Sequence, residues 1–261
     1  MKKEPLYIIK VGGNIIDDDV KLKSFLASFT QIKGKKILVH GGGKIATKLA
    51  ENLNIPQQMV DGRRITDSET LKVVTMVYAG YINKNIVATL NSLNETSIGL
   101  SGADAGFIKA HKRMHPSIDY GYVGDVDAIN TAILTSLIDL NLTLVIAPIT
   151  QDDKGQLLNT NADTIAQEIA KAMSEKMEIT LVYSFEKKGV LKDIDDEESF
   201  IPMINLACFE KMKEEHTIFA GMIPKLDNAF EAIGAGVNKV IIGDASNLQE
   251  LLDGKSGTVI C

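Results

Sequence analysis

Short, unbroken runs of apolar and β-branched residues alternate with amphipathic helical stretches along the whole chain, and no other feature limits its fold so strongly. Leu6-Tyr7-Ile8-Ile9 runs into Lys10-Val11-Gly12-Gly13, and Lys36-Ile37-Leu38-Val39 runs into His40-Gly41-Gly42-Gly43. After the second glycine turn Ile45, Leu49 and Leu53, with Ala46 and Ala50, recur four apart, the spacing of a helix face. A further helix is predicted from Thr66, with Thr66 and Glu69 as a capping box and Leu71, Val74, Tyr78, Ile82 and Ile86 on one stripe. Buried strands are predicted at 97–100 and 142–146, others at 179–182, 240–242 and 258–260, and helices at 128–140, 163–173 and 247–252. Pro224 opens another helix, carried by Leu226, Phe230 and Ile233 and closed by Gly234 and Gly236. Strands that are apolar throughout must be covered on both faces, so the pattern predicts an α/β fold around a mostly parallel sheet. Residues 108–127 break the alternation and read as an inserted loop or hairpin, and 187–199 as an acidic, solvated turn.

Composition narrows the class. The 261 residues are 45% apolar and 24% charged, which excludes a disordered chain, a collagen and a coiled coil. A net charge of −6 without a basic cluster argues against nucleic acid or an anionic membrane as partner. The apolar runs fall far short of the roughly 20 residues that span a bilayer, and 6–9 is too short for a signal peptide. Cys208 and Cys261 stand in no metal or redox spacing, so no protein-built metal site is expected and a reducing cytoplasm is the expected location.

In a parallel sheet ligands sit at the carboxyl ends of the strands, and glycine turns there let backbone amides approach an anion. Gly12-Gly13, Gly41-Gly42-Gly43 and Gly99-Leu100-Ser101-Gly102 all follow strands. For any one of them a plain turn requiring positive φ serves equally well. Three consecutive glycines entering a helix are harder to explain that way, because each costs conformational entropy. Gly41-x-Gly43-x-x-Ala46 also fits a dinucleotide fingerprint, but no acidic strand end follows at the required distance. Lys10 ends a strand between apolar and glycine neighbours. Lys225 stands in the first turn of a helix, where it opposes the macrodipole; it is a solvated lysine or it faces an anion. Asp163 is a cap or a functional carboxylate, and Arg63-Arg64 offers a bidentate carboxylate binder. Two lysines, glycine amides, an aspartate and an arginine suit phosphoryl transfer, which is mostly positioning and charge neutralisation.

Ile9-Lys10-Val11-Gly12-Gly13, His40-Gly41-Gly42-Gly43, Gly62-Arg63-Arg64-Ile65-Thr66, Asn159-Thr160-Asn161-Ala162-Asp163 and Gly221-Met222-Ile223-Pro224-Lys225 follow one another in that order. Together they resemble the amino-acid kinase family, and within it the members that phosphorylate N-acetyl-L-glutamate. The resemblance implies a three-layer αβα sandwich with a mainly parallel central sheet. It implies an N-terminal lobe, 1–174, that binds the acylglutamate and forms a homodimer, and a C-terminal lobe, 175–261, that binds ATP with Mg²⁺. The implied reaction moves the γ-phosphoryl group to the γ-carboxylate of N-acetyl-L-glutamate, a step of arginine biosynthesis. By the same resemblance Lys10 neutralises the transferring group, Lys225 the leaving side, and Asp163 orients both lysines. Gly12, Gly13 and Gly43 serve phosphoryl oxygens, and Gly42 and Gly43 border the substrate. Arg64, Asn159 and Asn161 take its α-carboxylate. Ser184, Gly189, Phe219, Gly221 and Met222 fall at the nucleotide.

Two segments depart from the family pattern. Ser184-Phe185-Glu186-Lys187-Lys188-Gly189 is one residue longer than the usual Thr/Ser-Asp-Val-x-Gly and lacks its Asp, and Ala220-Gly221 replaces Gly-Gly or Asp-Gly. Three alternatives share the fold. An N-succinyl substrate would draw its extra carboxylate to Lys44, Arg63 or Lys109. A carbamate or uridylate kinase type is opposed by Arg64 and Asn159-x-Asn161, and a non-catalytic binding protein by the joint presence of Lys10, Asp163 and Lys225. Arginine-inhibited hexamers of the family carry a helix ahead of the first strand. Here Pro5 precedes a strand beginning near Leu6, so a homodimer with little arginine inhibition is expected.

Overall fold

The computed structural model describes residues 3–60, 63–185, 187–193, 196, 199–215, 217–218, 222–244, 246 and 248–261. The chain begins with β1 (Pro5–Val11), a single turn α1 (Gly13–Ile16), α2 (Asp19–Thr30), β2 (Lys35–His40) and α3 (Gly43–Asn52). A hairpin, β3 (Gln58–Val60) and β4 (Arg63–Ile65), leads to α4 (Ser68–Thr75), a π-helical stretch (Met76–Ile82), α5 (Asn83–Ser92) and β5 (Ser97–Ser101). There follow β6 (Ile108–Lys112), β7 (Gly124–Ile129), α6 (Thr131–Asp139), β8 (Thr143–Ala147), β9 (Ile149–Gln151), β10 (Leu157–Asn159) and α7 (Ala162–Met173). The last third holds β11 (Glu178–Phe185), β12 (Met203–Ile204), α8 (Leu206–Glu214), α9 (Ile223–Gly234), β13 (Lys239–Asp244), α10 (Leu248–Leu252) and β14 (Thr258–Ile260).

One eight-stranded sheet runs through the molecule in the order β12-β14-β13-β11-β1-β2-β8-β5, and every pairing in it is parallel except β13 with β14. Successive side chains of a strand point to opposite faces. Thus Ile8, Ile37, Leu144 and Leu181 enter one core with α7 and α9, while Ile9, Leu38, Val145 and Val182 enter the other with α2, α3 and α5. Truncating any of these buried aliphatics to Ala should cost about 2–5 kcal/mol through lost transfer energy and a cavity. A four-stranded sheet, β10-β9-β6-β7, and the β3–β4 hairpin lie outside this frame.

The expected alternation is present, with local differences. The capping box at Thr66 does not form: Asp67 caps α4 by accepting from Thr70 N at 2.7 Å. Thr66 stays extended, donates its amide to Tyr120 O and accepts from Tyr122 N, which ties β4 to the 108–127 hairpin. The stripe 74, 78, 82, 86 advances by four each time, which drifts around an α-helix; the π turn at Met76–Ile82 is wider and keeps Val74, Tyr78, Ile82 and Ile86 all buried. Residues 128 and 129 belong to β7, not to the following helix, because Ile108 and Lys109 pair with them. β5, expected to be buried, is an edge strand and only half-buried save for Ser101. Residues 108–127 do form a hairpin, the antiparallel pair β6–β7.

Candidate active site

The site begins where the central strand stops. Lys10 is the penultimate residue of β1, flanked in register by Val39 of β2 and Tyr183 of β11. Its ammonium reaches Asp163 Oδ1 at 2.8 Å, with both side chains largely shielded from solvent. Asp163 can do this because it is not the cap of α7. Asn161 is, its Oδ1 accepting from Asp163 N at 2.7 Å and Thr164 N at 3.4 Å. The carboxylate therefore sits in the first turn, favourable in the helix field, and holds the lysine across the sheet edge. Gly12 lies under Lys10, where a Cβ would come within 4.0 Å of Nζ and 3.6 Å of Ser184 O.

Two cavities open on either side of this ion pair. The smaller, about 280 Å³, is lined by Gly41, Gly42, Gly43, Arg64, Asn159 and Asp163 among others, and includes Lys10 and Gly13. Gly42, the residue before α3, has φ +141°, and a Cβ there would stand 2.1 Å from Ile82 Cδ1, so a side chain would be strained and would have to displace Ile82. The start of α3 thus opens directly onto the cavity, an anion-binding arrangement. Arg64 is nine-tenths buried in its wall. Its guanidinium donates to Gly43 O at 3.0 Å, to Thr47 Oγ1 at 2.8 Å and to Gln57 Oε1. Tyr78 also lines this cavity; burial pushes its hydroxyl pKa up, with Arg64 pulling the other way, so it stays protonated. Asn159 donates to Thr66 Oγ1 at 3.0 Å, and the buried Thr160 hydroxyl is shared with Thr150 Oγ1 at 2.8 Å.

The larger cavity, about 550 Å³, is lined by Gly12, Asn14, Lys225 and Asp244 and shares Lys10 and Gly13 with the smaller one. One wall comes from α2, through Val20, Lys21, Ser24 and Phe25, and the other from the ends of β11 and β13, through Ser184, Asp244 and Ser246. Asp18 caps α2, accepting from Val20 N and Lys21 N, both at 3.0 Å.

The structure brings Lys10, Gly12, Gly13, Gly42, Gly43, Arg64, Asn159, Asn161, Asp163, Ser184 and Lys225 to these two linked cavities. It does not bring Gly189 or Met222. Gly189 is packed where a Cβ would meet Thr258 Oγ1 at 2.6 Å, and Met222 is buried in the core beside α9. Gly62, Phe219 and Gly221 lie outside the described residues. Of the cations considered for an extra carboxylate, only Arg63 lines the smaller cavity. Lys44 instead donates to Asn14 Oδ1 at 3.0 Å, and Lys109 pairs with Asp153 at 2.8 Å on the surface. Reading the sequence missed Arg113, which enters the wall from β6–β7 and is held by both oxygens of Asp125 at 3.0 and 3.1 Å. It also missed Tyr78, whose apolar spacing marked it as core, and the α2 wall, although Asp18 followed by Leu22, Phe25, Leu26 and Phe29 has the cap and spacing of a helix.

Fold and sequence place this chain in the amino acid kinase family, whose model matches residues 5–244. Among its relatives, acetylglutamate kinase from Bacteroides fragilis is 54% identical over 244 residues, 94% of each chain. The Methanopyrus kandleri acetylglutamate kinase is 38% identical over 257 residues, 97% of this chain and 99% of that one. Among solved structures, N-acetylglutamate synthase from Neisseria gonorrhoeae, complexed with coenzyme A and N-acetyl-glutamate, superposes with TM-score 0.82 at 19% identity, covering all of this chain and 60% of that one. Carbamate kinase from Giardia lamblia bound to AMP-PNP gives TM-score 0.71 at 16% identity, over 99% and 98% of the two chains. These two share the fold.

Proposed function

We propose that this protein transfers the γ-phosphoryl group of ATP to the γ-carboxylate of N-acetyl-L-glutamate, forming N-acetyl-L-glutamyl 5-phosphate and ADP for arginine biosynthesis. One observation carries the reading: a small polar cavity and a larger one meet at a single lysine, Lys10, held by Asp163 at 2.8 Å. The relatives named acetylglutamate kinase, 54% and 38% identical, supply the substrate. The acylglutamate occupies the smaller cavity, its α-carboxylate at Arg64 and Asn159 and its γ-carboxylate at the amides of Gly42 and Gly43. ATP occupies the larger cavity, between α2 on one side and the ends of β11 and β13 with Lys225 on the other. The γ-carboxylate oxygen attacks the γ-phosphorus, the bond to the β–γ bridging oxygen breaks, and ADP leaves with that electron pair. Lys10 neutralises the equatorial oxygens in transit, Lys225 the charge growing on the leaving side, and Asp163 fixes Lys10 so that little reorganisation is needed.

Mg²⁺ accompanies the nucleotide. Among the described residues no group of three or more His, Cys, Asp or Glu could cage a metal. On this reading Mg²⁺ is held mainly by phosphate oxygens and water, with Asp244 of the larger cavity as the nearby carboxylate. Bound there, it would neutralise charge on the β- and γ-phosphates.

No helix among the described residues is long and apolar enough to cross a membrane. We place the enzyme in the cytoplasm as a homodimer built through its N-terminal lobe. Leu53 after α3 and Met76 and Tyr81 of the π stretch are 50%, 54% and 64% exposed, apolar side chains for a second copy to cover. Light scattering tests the mass. The activity is tested by ADP release with N-acetylglutamate, N-succinylglutamate, glutamate and aspartate offered separately. N-acetylglutamate is expected to give the highest kcat/KM, since Arg113 is already neutralised by Asp125 and leaves Arg63 alone for a third carboxylate. A preference for the succinyl derivative would overturn that choice of acyl group.

A further inference from the structure

His40 ends β2, immediately before the three glycines of the smaller cavity, and is completely buried. Both ring nitrogens are engaged. Nδ1 lies 2.9 Å from Gly41 O, and Nε2 lies 3.2 Å from Asn83 Nδ2. A carbonyl only accepts, so Nδ1 carries the proton, and Nε2 accepts from the Asn83 amide. Asn83, itself 1% exposed, donates also to Val145 O at 3.0 Å, and its Oδ1 accepts from Lys84 at 3.1 Å. Lys84 in turn donates to Gly99 O at 2.9 Å. Every polar atom of the His40–Asn83 pair is satisfied. The Asn83 carboxamide is held in place by Gly99, where a Cβ would come within 1.9 Å of Oδ1. Burial pulls the His40 pKa down to about 4, so the imidazole is neutral and keeps one donor and one acceptor.

The consequence lies in the peptide plane. In a trans peptide the C=O of one residue and the N–H of the next point in opposite directions. Holding Gly41 O down against His40 turns the Gly42 N–H the other way, toward the cavity that Gly41, Gly42 and Gly43 line. Among the described residues neither the Gly42 nor the Gly43 amide has an acceptor within the chain. Glycines without side chains do not fix their own peptide orientation, because they move readily between φ regions. Something outside the turn must select it.

We propose that His40, oriented by Asn83, is a positioning residue that locks the Gly41–Gly42 peptide so that the Gly42 amide faces the phosphoryl-accepting carboxylate. It rests on the reading of the smaller cavity as the acylglutamate site. The test uses three variants of the full-length protein. The side-chain amide nitrogen of Asn falls where Nδ1 of His stands, and that of Gln where Nε2 stands. His40→Asn therefore keeps the donor to Gly41 O, His40→Gln loses it, and His40→Phe removes both groups. With steady-state kinetics, His40→Phe and His40→Gln are expected to raise KM for N-acetylglutamate at least tenfold and lower kcat at least tenfold. KM for ATP should stay within twofold, and His40→Asn should recover most of both losses. A loss of packing alone would not separate Asn from Gln or one substrate from the other. ¹⁵N–¹H spectra of the substrate-free protein provide a second readout: the Gly42 and Gly43 amides should shift in His40→Gln and stay near wild type in His40→Asn. Should His40→Phe fail to fold, the Asn–Gln contrast still decides. Equal behaviour of those two variants, in kinetics and in glycine shifts, overturns the proposal. A wild type inactive toward N-acetylglutamate overturns the substrate reading instead, and the glycine shifts then judge the clamp by themselves.

Discussion

The two cavities that meet at Lys10 are built on different principles. The smaller is assembled from groups already committed to one another: Arg64 to Gly43 O, Thr47 and Gln57, Asn159 to Thr66, Thr160 to Thr150, and Gly42 pressed on Ile82. Its walls come from separate hairpins and helices, tied by the Thr66–Tyr120 and Thr66–Tyr122 backbone bonds. The larger has about twice the volume and takes one wall from a single helix, α2, whose Val20 is 77% exposed. Preorganised polar groups discriminate between ligands because a wrong ligand leaves them buried and unpaired. An open wall binds without discriminating to the same degree. On the proposed reading, the choice of amino-acid substrate falls to the rigid side and a common nucleotide to the loose one.

The sharpest way to break this comparison is at the shared point. Lys10→Ala and Lys225→Ala should each lower kcat by roughly 10²–10³-fold, the scale of one preorganised charge-stabilising donor. KM for either substrate should change much less if, as proposed, both lysines serve the migrating charge. Near-normal turnover in Lys10→Ala would show that it does not serve the transferring group.

Acid should loosen the rigid side first. His40, beneath the smaller cavity, has its pKa lowered by burial from 6.5 to about 4. The unfolded chain therefore takes up its proton before the native state does. Its contribution is fully present above pH 6.5 and is lost as pH falls toward 4, up to about 3 kcal/mol. Asp67 and Glu231, whose pKa values are lowered by the Thr70 amide and by Lys171, give up their contributions only around and below pH 4.5. Urea unfolding at pH 7, 5.5 and 4.5 should show this slope in the wild type and much less of it in His40→Asn.

A pair of glycines separates crowding from strain. Gly42→Ala places a methyl on Ile82 at a positive φ and should cost about 2–3 kcal/mol together with most N-acetylglutamate affinity. Gly155→Ala, at φ +82° with nothing within 4 Å, should cost about 1 kcal/mol and leave affinity alone. Thermal melts and calorimetric titration together read both; equal losses would mean that Gly42 is an ordinary turn.

The smallest effect tests the wall itself. Lysine cannot reach Gly43 O, Thr47 and Gln57 at once, so Arg64→Lys should raise KM for N-acetylglutamate about tenfold with little change in KM for ATP. Equal rises for both substrates would show that the cavities are not separate in function.

The sequence by itself determined the layers and the glycine turns. Periodicity and turn chemistry act over a few residues, so the strand at 36–39, the α3 face and the glycines after β1 and β2 are legible without any partner. The five segments containing Lys10, Gly41–Gly43, Arg64, Asp163 and Lys225 were legible as a set, through the order in which they resemble the family; taken singly, Asp163 and Lys225 read equally as a cap and a solvated lysine. Local rules failed where an element answers to a distant neighbour. Thr66 looks like a cap, but it pairs with the 121 region while Asp67 does the capping. Residues 128 and 129 look helical, but β6 claims them. Tyr78 looks like core and Arg113 falls in the segment read as an inserted loop or hairpin, but both line a cavity because a π turn and that hairpin carry them there. Only the tertiary structure decided that Asn161 caps α7 and leaves Asp163 to meet Lys10, since that contact joins the end of β1 to the start of α7. A side chain's type is set by its codon, but its partner is set by which strand ends and helix starts the sheet order brings to the same edge.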